Sequence, residues 1–132
     1  MYLGCNLMIT SKVNSLEEIN STIWLKWDRW WSKWDKRIPP KWKWNGTYYD
    51  FTASIICFSL DSQEVEEHIE YLLDKVLPFK KWLLSFLSLS ESNYATIKIF
   101  LSEIKHTWIS LNKEILKKLG ILWLEIDIDI YK

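Results

Sequence analysis

Hydrophobic and polar residues alternate at both ends of the chain and follow a helical period in much of the middle. Leu3, Cys5, Leu7 and Ile9 alternate with Gly4, Asn6, Met8 and Thr10, the period of two that turns one face of a strand into a core. Ser15 and Glu18 then form a Ser-x-x-Glu pattern, a capping box that starts a helix at about Leu16 by satisfying backbone N–H groups of the first turn. Leu16, Ile19 and Ile23 begin its apolar stripe, and Trp24, Trp27, Trp30, Trp31 and Trp34 continue it within a sector of roughly 120°. Lys26, Arg29, Lys33 and Lys36 lie opposite. The expected helix runs to about Lys36; Asn20, Ser21 and Thr22 are weak helix formers, so a stop near Leu25 is the alternative.

Pro39-Pro40 cannot continue a helix. Asn45-Gly46 stands between alternating aromatics, and Asn-Gly suits the two positive φ angles of a type I′ hairpin turn. Such a turn pairs Trp44 with Thr47, Lys43 with Tyr48 and Trp42 with Tyr49, and it aligns Phe51, Ala53, Ile55 and Cys57 on one apolar face of the second arm. Asp61 and Glu64 repeat the capping pattern before a stripe of Val65, Ile69, Leu72, Leu73 and Val76. Pro78 predicts a kink, after which Phe79, Trp82, Leu83 and Phe86 recur at helical spacing toward Ser88. Tyr94 to Ile104 alternates again, with Ile97, Ile99 and Leu101 inward. Ser110 or Asn112 caps a short helix through Leu119, with Gly120 as its stop. Leu124, Ile126, Ile128 and Ile130 finally alternate with Glu125, Asp127, Asp129 and Tyr131, a strand that carries a carboxylate row.

This order predicts an α+β fold, a single-layer and largely antiparallel sheet of about five strands with two or three helices packed on one face. The 132 residues suit one domain over residues 1–132, with a hydrophobic fraction of 48% and only 3 Gly and 3 Pro, a composition that argues against disorder. The 17 basic residues balance 17 acidic ones, but unevenly along the chain: Lys26 to Lys43 holds seven cations against Asp28 and Asp35, whereas Asp61 to Asp74 is wholly acidic. The start lacks a signal-peptide pattern and no stretch approaches the roughly 20 apolar residues of a membrane helix. Cys5 and Cys57 lie in apolar runs and read as reduced core residues. The expected compartment is the cytoplasm.

SLEEI after the first strand, VEEHIEYLLDKVLPF, LNKEILKKLG and the terminal EIDIDIY together resemble an uncharacterised family of small bacterial domains. Its members read leucine-glutamate-glutamate-histidine in the middle helix and end in an aspartate-isoleucine-tyrosine strand. The likeness spans most of the chain and departs between Trp24 and Trp44, where tryptophans replace the glycines of the family's loop. The family implies no activity. Small proteins of this type also look like bacterial immunity proteins, which neutralise toxins by direct binding.

Catalytic chemistry has no motif here: the two histidines, His68 and His106, have no ligand partner at metal spacing, and no phosphate loop or nucleophile motif is present. His68 reads as a helix-surface or interface residue. Neither a metal nor a cofactor is called for, and no catalytic residue is assigned. Seven of the ten tryptophans lie between Trp24 and Trp44, more than one helix and one hairpin bury, so some are expected to be exposed beside cations as a recognition surface. The expected function is protein binding without catalysis, toward a cognate toxin or another protein. Its expected contacts are Glu125, Asp127, Asp129, Glu66 and Glu70 for steering a basic partner and Trp27, Trp30 and Trp34 for holding it. The alternative is a module for single-stranded nucleic acid or sugar built on residues 24–44. A third reading, an enzyme using a metal on Glu125, Asp127 and Asp129, lacks the further oxygen ligands that would close a coordination shell.

Overall fold

A computed structural model describes residues 2–35, 48–62, 64–102 and 109–131. Five strands form one sheet: β1 (Tyr2–Ser11), β2 (Arg29–Trp31), β3 (Thr52–Phe58), β4 (Tyr94–Ser102) and β5 (Glu125–Tyr131), in the order β2-β3-β1-β4-β5. Every neighbouring pair is antiparallel except β4 with β5. The helices are α1 (Leu16–Asn20), α2 (Val65–Val76), α3 (Lys80–Leu87) and α4 (Lys113–Leu122). The fold is the α+β arrangement that the alternation and helical stripes predict.

One face of the sheet holds the core. Leu7 and Ile9 of β1, Ile56 of β3, and Ile97, Ile99 and Leu101 of β4 pack in one buried cluster with Ile69, Leu72 and Leu73 of α2, Leu83 of α3, and Ile115, Leu119 and Leu122 of α4. Each fully buried aliphatic side chain is worth about 1.5 to 3 kcal/mol of transfer free energy. The capping box forms as expected, with the Glu18 N–H donating to Ser15 Oγ at 3.2 Å and the Ser15 N–H to Glu18 Oε1 at 3.1 Å. Pro78 falls in a single 3₁₀ turn, Leu77–Phe79, between α2 and α3, where its missing N–H is tolerated. Asn112 caps α4 by accepting from the Ile115 N–H at 2.9 Å.

Several expectations fail, each for a local reason. The helix starting at Leu16 ends at Asn20 instead of reaching Lys36. Ser21 Oγ donates to the Glu18 carbonyl at 2.8 Å and Thr22 Oγ1 to the Ile19 carbonyl at 2.7 Å, and such side-chain bonds compete with helix continuation. Trp30 and Trp31 consequently sit on strand β2, not on a helical stripe. In β3 the register pairs Leu7 with Ile56 and Ile9 with Ser54, so Ser54 and Ile56 face the helices while Ala53, Ile55 and Cys57 face away. The run Ala53-Ser54-Ile55-Ile56-Cys57-Phe58 is apolar on both faces, and periodicity alone does not choose between them. Cys57 is exposed rather than in the core.

His68, expected on a surface, is buried at 3% exposure, and its Nε2–H donates to the Ser62 carbonyl at 2.9 Å. α2 begins after Glu64 with no side-chain cap, so Asp61 does not start it. Gly120 lies inside α4, and Trp123 takes the left-handed position at the helix end, φ 54°. The Asn45-Gly46 hairpin and the Trp42–Tyr49 pair lie outside the described residues, as does His106.

Candidate binding surface

The face of the sheet turned away from the helices carries the second set of strand positions. Met8 pairs with Ile55 on one side and Thr96 on the other, and Thr10 with Ala53 and Tyr94. Arg29 and Trp31 of β2 join that face opposite Ile55 and Ala53. Glu125, Asp127 and Asp129 extend it at the far edge, beside Thr96, Lys98 and Phe100.

Residues 28–35 are held along β3 by backbone and side-chain bonds. The Asp28 N–H donates to the Ile55 carbonyl at 2.9 Å, and Asp28 Oδ2 accepts from the Cys57 N–H at 2.8 Å. The Lys33 N–H donates to Thr52 Oγ1 at 2.8 Å. The Trp34 N–H reaches the Tyr49 carbonyl at 2.7 Å, and the Tyr49 N–H returns to the Asp35 carbonyl at 2.9 Å. This latch sets Trp31 on Tyr49, ring centroids 4.4 Å apart and stacked at 22°, with Phe51 edge-on to both at 5.6 and 6.1 Å. Aromatic pairs of this kind contribute about 0.5 to 1.5 kcal/mol each beyond area burial. The Trp31 Nε1–H is enclosed without an acceptor among the described residues.

The aromatic trio forms the wall of a hollow. A cavity of about 250 Å³ is lined by Met8, Arg29, Trp31, Tyr49 and Phe51. It shares Met8 and Phe51 with a larger one of about 410 Å³, bordered also by Thr10, Lys12, Tyr94, Thr96, Lys98 and Glu125. The combination offers an apolar floor, hydroxyl groups to fix orientation and charges at the rim, the usual constitution of a recognition site. At that rim Lys98 Nζ pairs with Asp127 Oδ2 at 2.9 Å, which leaves Glu125 and Asp129 as the exposed carboxylates beyond that pair.

The structure divides the residues singled out from the sequence into separate surfaces. Glu125, Asp127 and Asp129 share one strand face. Glu66 and Glu70 lie on α2, across the sheet from that row, where they accept from the Ser110 N–H at 2.8 Å and from Asn112 Nδ2 at 3.3 Å. They hold the approach to α4 and do not extend the row. Trp27 is half-buried against the core, its Nε1–H donating to the Asn20 carbonyl at 3.4 Å. Trp30 and Trp34 are exposed, and Lys33 Nζ lies 5.3 Å from the Trp34 ring. Trp30 shares a register position with Ser54, so it belongs to the helix side of β2.

Sequence reasoning missed Met8, Thr10, Phe51, Tyr94 and Thr96 as neighbours. The signal for them was the first strand itself, whose second face reads Gly4, Asn6, Met8, Thr10, too mixed for a core and too apolar for a plain solvated surface. Among the described residues no group of three or more His, Cys, Asp or Glu side chains is placed to hold a metal ion. No helix among them is long and apolar enough to cross a membrane.

A family model described as a domain of unknown function, DUF4279, matches residues 2–132. The chain belongs to that family. The match covers all five strands, so the open face is part of the DUF4279 domain rather than an addition to it. Neither a curated protein nor a solved structure matches this DUF4279 chain.

Proposed function

We propose that this DUF4279 domain acts without chemistry of its own, by binding another protein through the uncovered face of the sheet. In this reading it is a bacterial immunity-type protein whose partner is a toxin. The observation that carries the reading is the stack of Trp31, Tyr49 and Phe51 opening into a hollow floored by Met8. A rigid aromatic anchor beside a desolvated pocket is where interface energy concentrates, and the Glu125, Asp127 and Asp129 row adds a field that steers a basic partner. Cytoplasmic residence fits that role.

The test is co-expression with a candidate toxin, such as one encoded beside its gene. The wild-type domain is expected to restore growth and to co-purify with the toxin. Thr10→Arg, which fills the hollow from a half-exposed strand position, is expected to abolish both while leaving the circular dichroism spectrum unchanged. Full protection by folded Thr10→Arg, or turnover of a substrate by the purified domain, overturns the reading.

A second reading, a module for single-stranded nucleic acid or sugar, draws on a different aromatic group. Trp24 and Trp82 are both exposed with ring centroids 5.7 Å apart, and Lys81 Nζ lies 5.6 Å from the Trp82 ring. Stacking beside cations suits bases or sugar rings. Nucleic-acid binding on this patch weakens steeply with added salt; affinity for oligonucleotides that is insensitive to salt, together with no affinity for sugars, removes it.

A further inference from the structure

The two edges of the sheet are unlike. β2 spans three residues, Arg29–Trp31, a length that gives an incoming strand little to pair with. β5 spans seven, Glu125–Tyr131, and pairs on one side only, with β4. Its other side presents backbone N–H and C=O groups without a strand partner among the described residues. A long unpaired edge is a template for another strand.

The side chains of β5 restrict what can pair there. On the open face stand Glu125, Asp127 and Asp129, all exposed. On the helix side Ile128 and Ile130 are 38% and 53% exposed, although Leu119 and Leu122 of α4 close over the core nearby. An added strand would put its own residues about 5 Å from each of these, alternately over carboxylates and over isoleucines. A second copy of β5 would set carboxylate rows side by side, which repels. A strand with Lys or Arg at every second position and aliphatic residues between matches both rows at once.

We infer that the outer edge of β5 is a site for strand addition by a partner segment that alternates basic and aliphatic residues. The inference rests on the protein-binding reading and names a mode of contact within it. Main-chain hydrogen bonds supply affinity in such pairing, and the alternate side chains supply specificity and register. The charged row then has two consequences: it keeps copies of this chain apart and admits a cationic strand.

The probe is a seven-residue synthetic peptide of alternating Lys and Ile with blocked ends. Two controls accompany it, a peptide of the same composition with Lys and Ile in separate blocks, and an alternating Glu and Ile peptide. The alternating Lys peptide is expected to bind at least tenfold more tightly than either control and to slow hydrogen exchange at amides within residues 125–131. The folded double variant Asp127→Lys/Asp129→Lys is expected to lose at least tenfold in affinity for the Lys peptide and to prefer the Glu peptide. Equal binding of the block peptide, unchanged exchange in residues 125–131, or a double variant with unaltered preference overturns the inference. A peptide that fails to bind a domain that still protects against toxin sinks the edge inference and leaves the broader reading standing.

Discussion

Cys5 and Cys57 carry the same thiol into opposite surroundings. Burial pushes the Cys5 thiol up to about 12 from its ordinary 9.0, because the thiolate would lose its hydration. Cys57 is exposed, and its thiol is raised first by partial burial and then by the neighbouring Asp28 charge. Only the thiolate reacts. At mildly alkaline pH iodoacetamide is therefore expected to label Cys57 in the native protein and Cys5 only after unfolding; comparable rates at the two sites in mass spectra would contradict the burial of Cys5. The raised Cys5 value also sets a sign for stability. Its contribution is whole below pH 9.0 and is lost as pH climbs toward about 12.

Trp31 gives a second contrast at this scale. Its stack with Tyr49 stabilises the 28–35 segment, while its enclosed N–H has no acceptor among the described residues. Trp31→Phe keeps a ring and removes the unpaired donor, so its stability should stay within about 1 kcal/mol of wild type. Trp31→Ala should lose about 3 kcal/mol. Chemical denaturation measures both, and equal losses would mean that the stack contributes nothing.

At the scale of elements, Asn93 ties the end of β1 and the turn that follows it to α3. It is 5% exposed, accepts from Ser11 Oγ at the end of β1, and donates through Nδ2 to the Phe86 carbonyl of α3 at 2.9 Å and to Asn14 Oδ1 at 2.8 Å. Asn93→Ala leaves these groups buried without their partner and should cost about 2 to 4 kcal/mol; a loss under 0.5 kcal/mol would show that water replaces the amide without penalty. α4 ends with the opposite kind of feature. Trp123 is exposed and left-handed at φ 54°, a conformation that glycine adopts without penalty, so Trp123→Gly should raise stability by about 1 kcal/mol.

Elements with strong alternation or a cap were legible in the sequence: β1, β4, β5, α2 and the start of α1. Those that failed had signals of equal strength for two outcomes. The tryptophans between Trp24 and Trp34 fit a helical sector, yet Ser21 and Thr22 bond back to helix carbonyls and the chain then pairs with β3. Helical spacing records only which residues could share a face, whereas the strand pairing depends on residues more than 20 positions away. β3 failed in parity for a related reason, since it is apolar on both faces and only its pairing with β1 chooses. The carboxylate row of β5 was readable because alternation along a single strand places it; the hollow was not, because it gathers β1, β4 and residues around Phe51.

Across the whole molecule the formal charge is zero, so steering rests on how charge is placed. The β5 row lies at one end of the open face, and Arg29 and Trp31 lie at the other. A partner met by this face is expected to be drawn by the row and held by the aromatics. The Asp127→Lys/Asp129→Lys variant should accordingly slow association most at low salt, and Phe51→Ala should speed dissociation. The direct measurement is the pair of rate constants for the captured partner with wild type and these two variants, at low and at physiological salt. The account predicts association slowed at least tenfold at low salt in the charge reversal, and dissociation at least tenfold faster in Phe51→Ala. Association and dissociation rates within twofold of wild type for both folded variants would contradict it and move the contact off the open face.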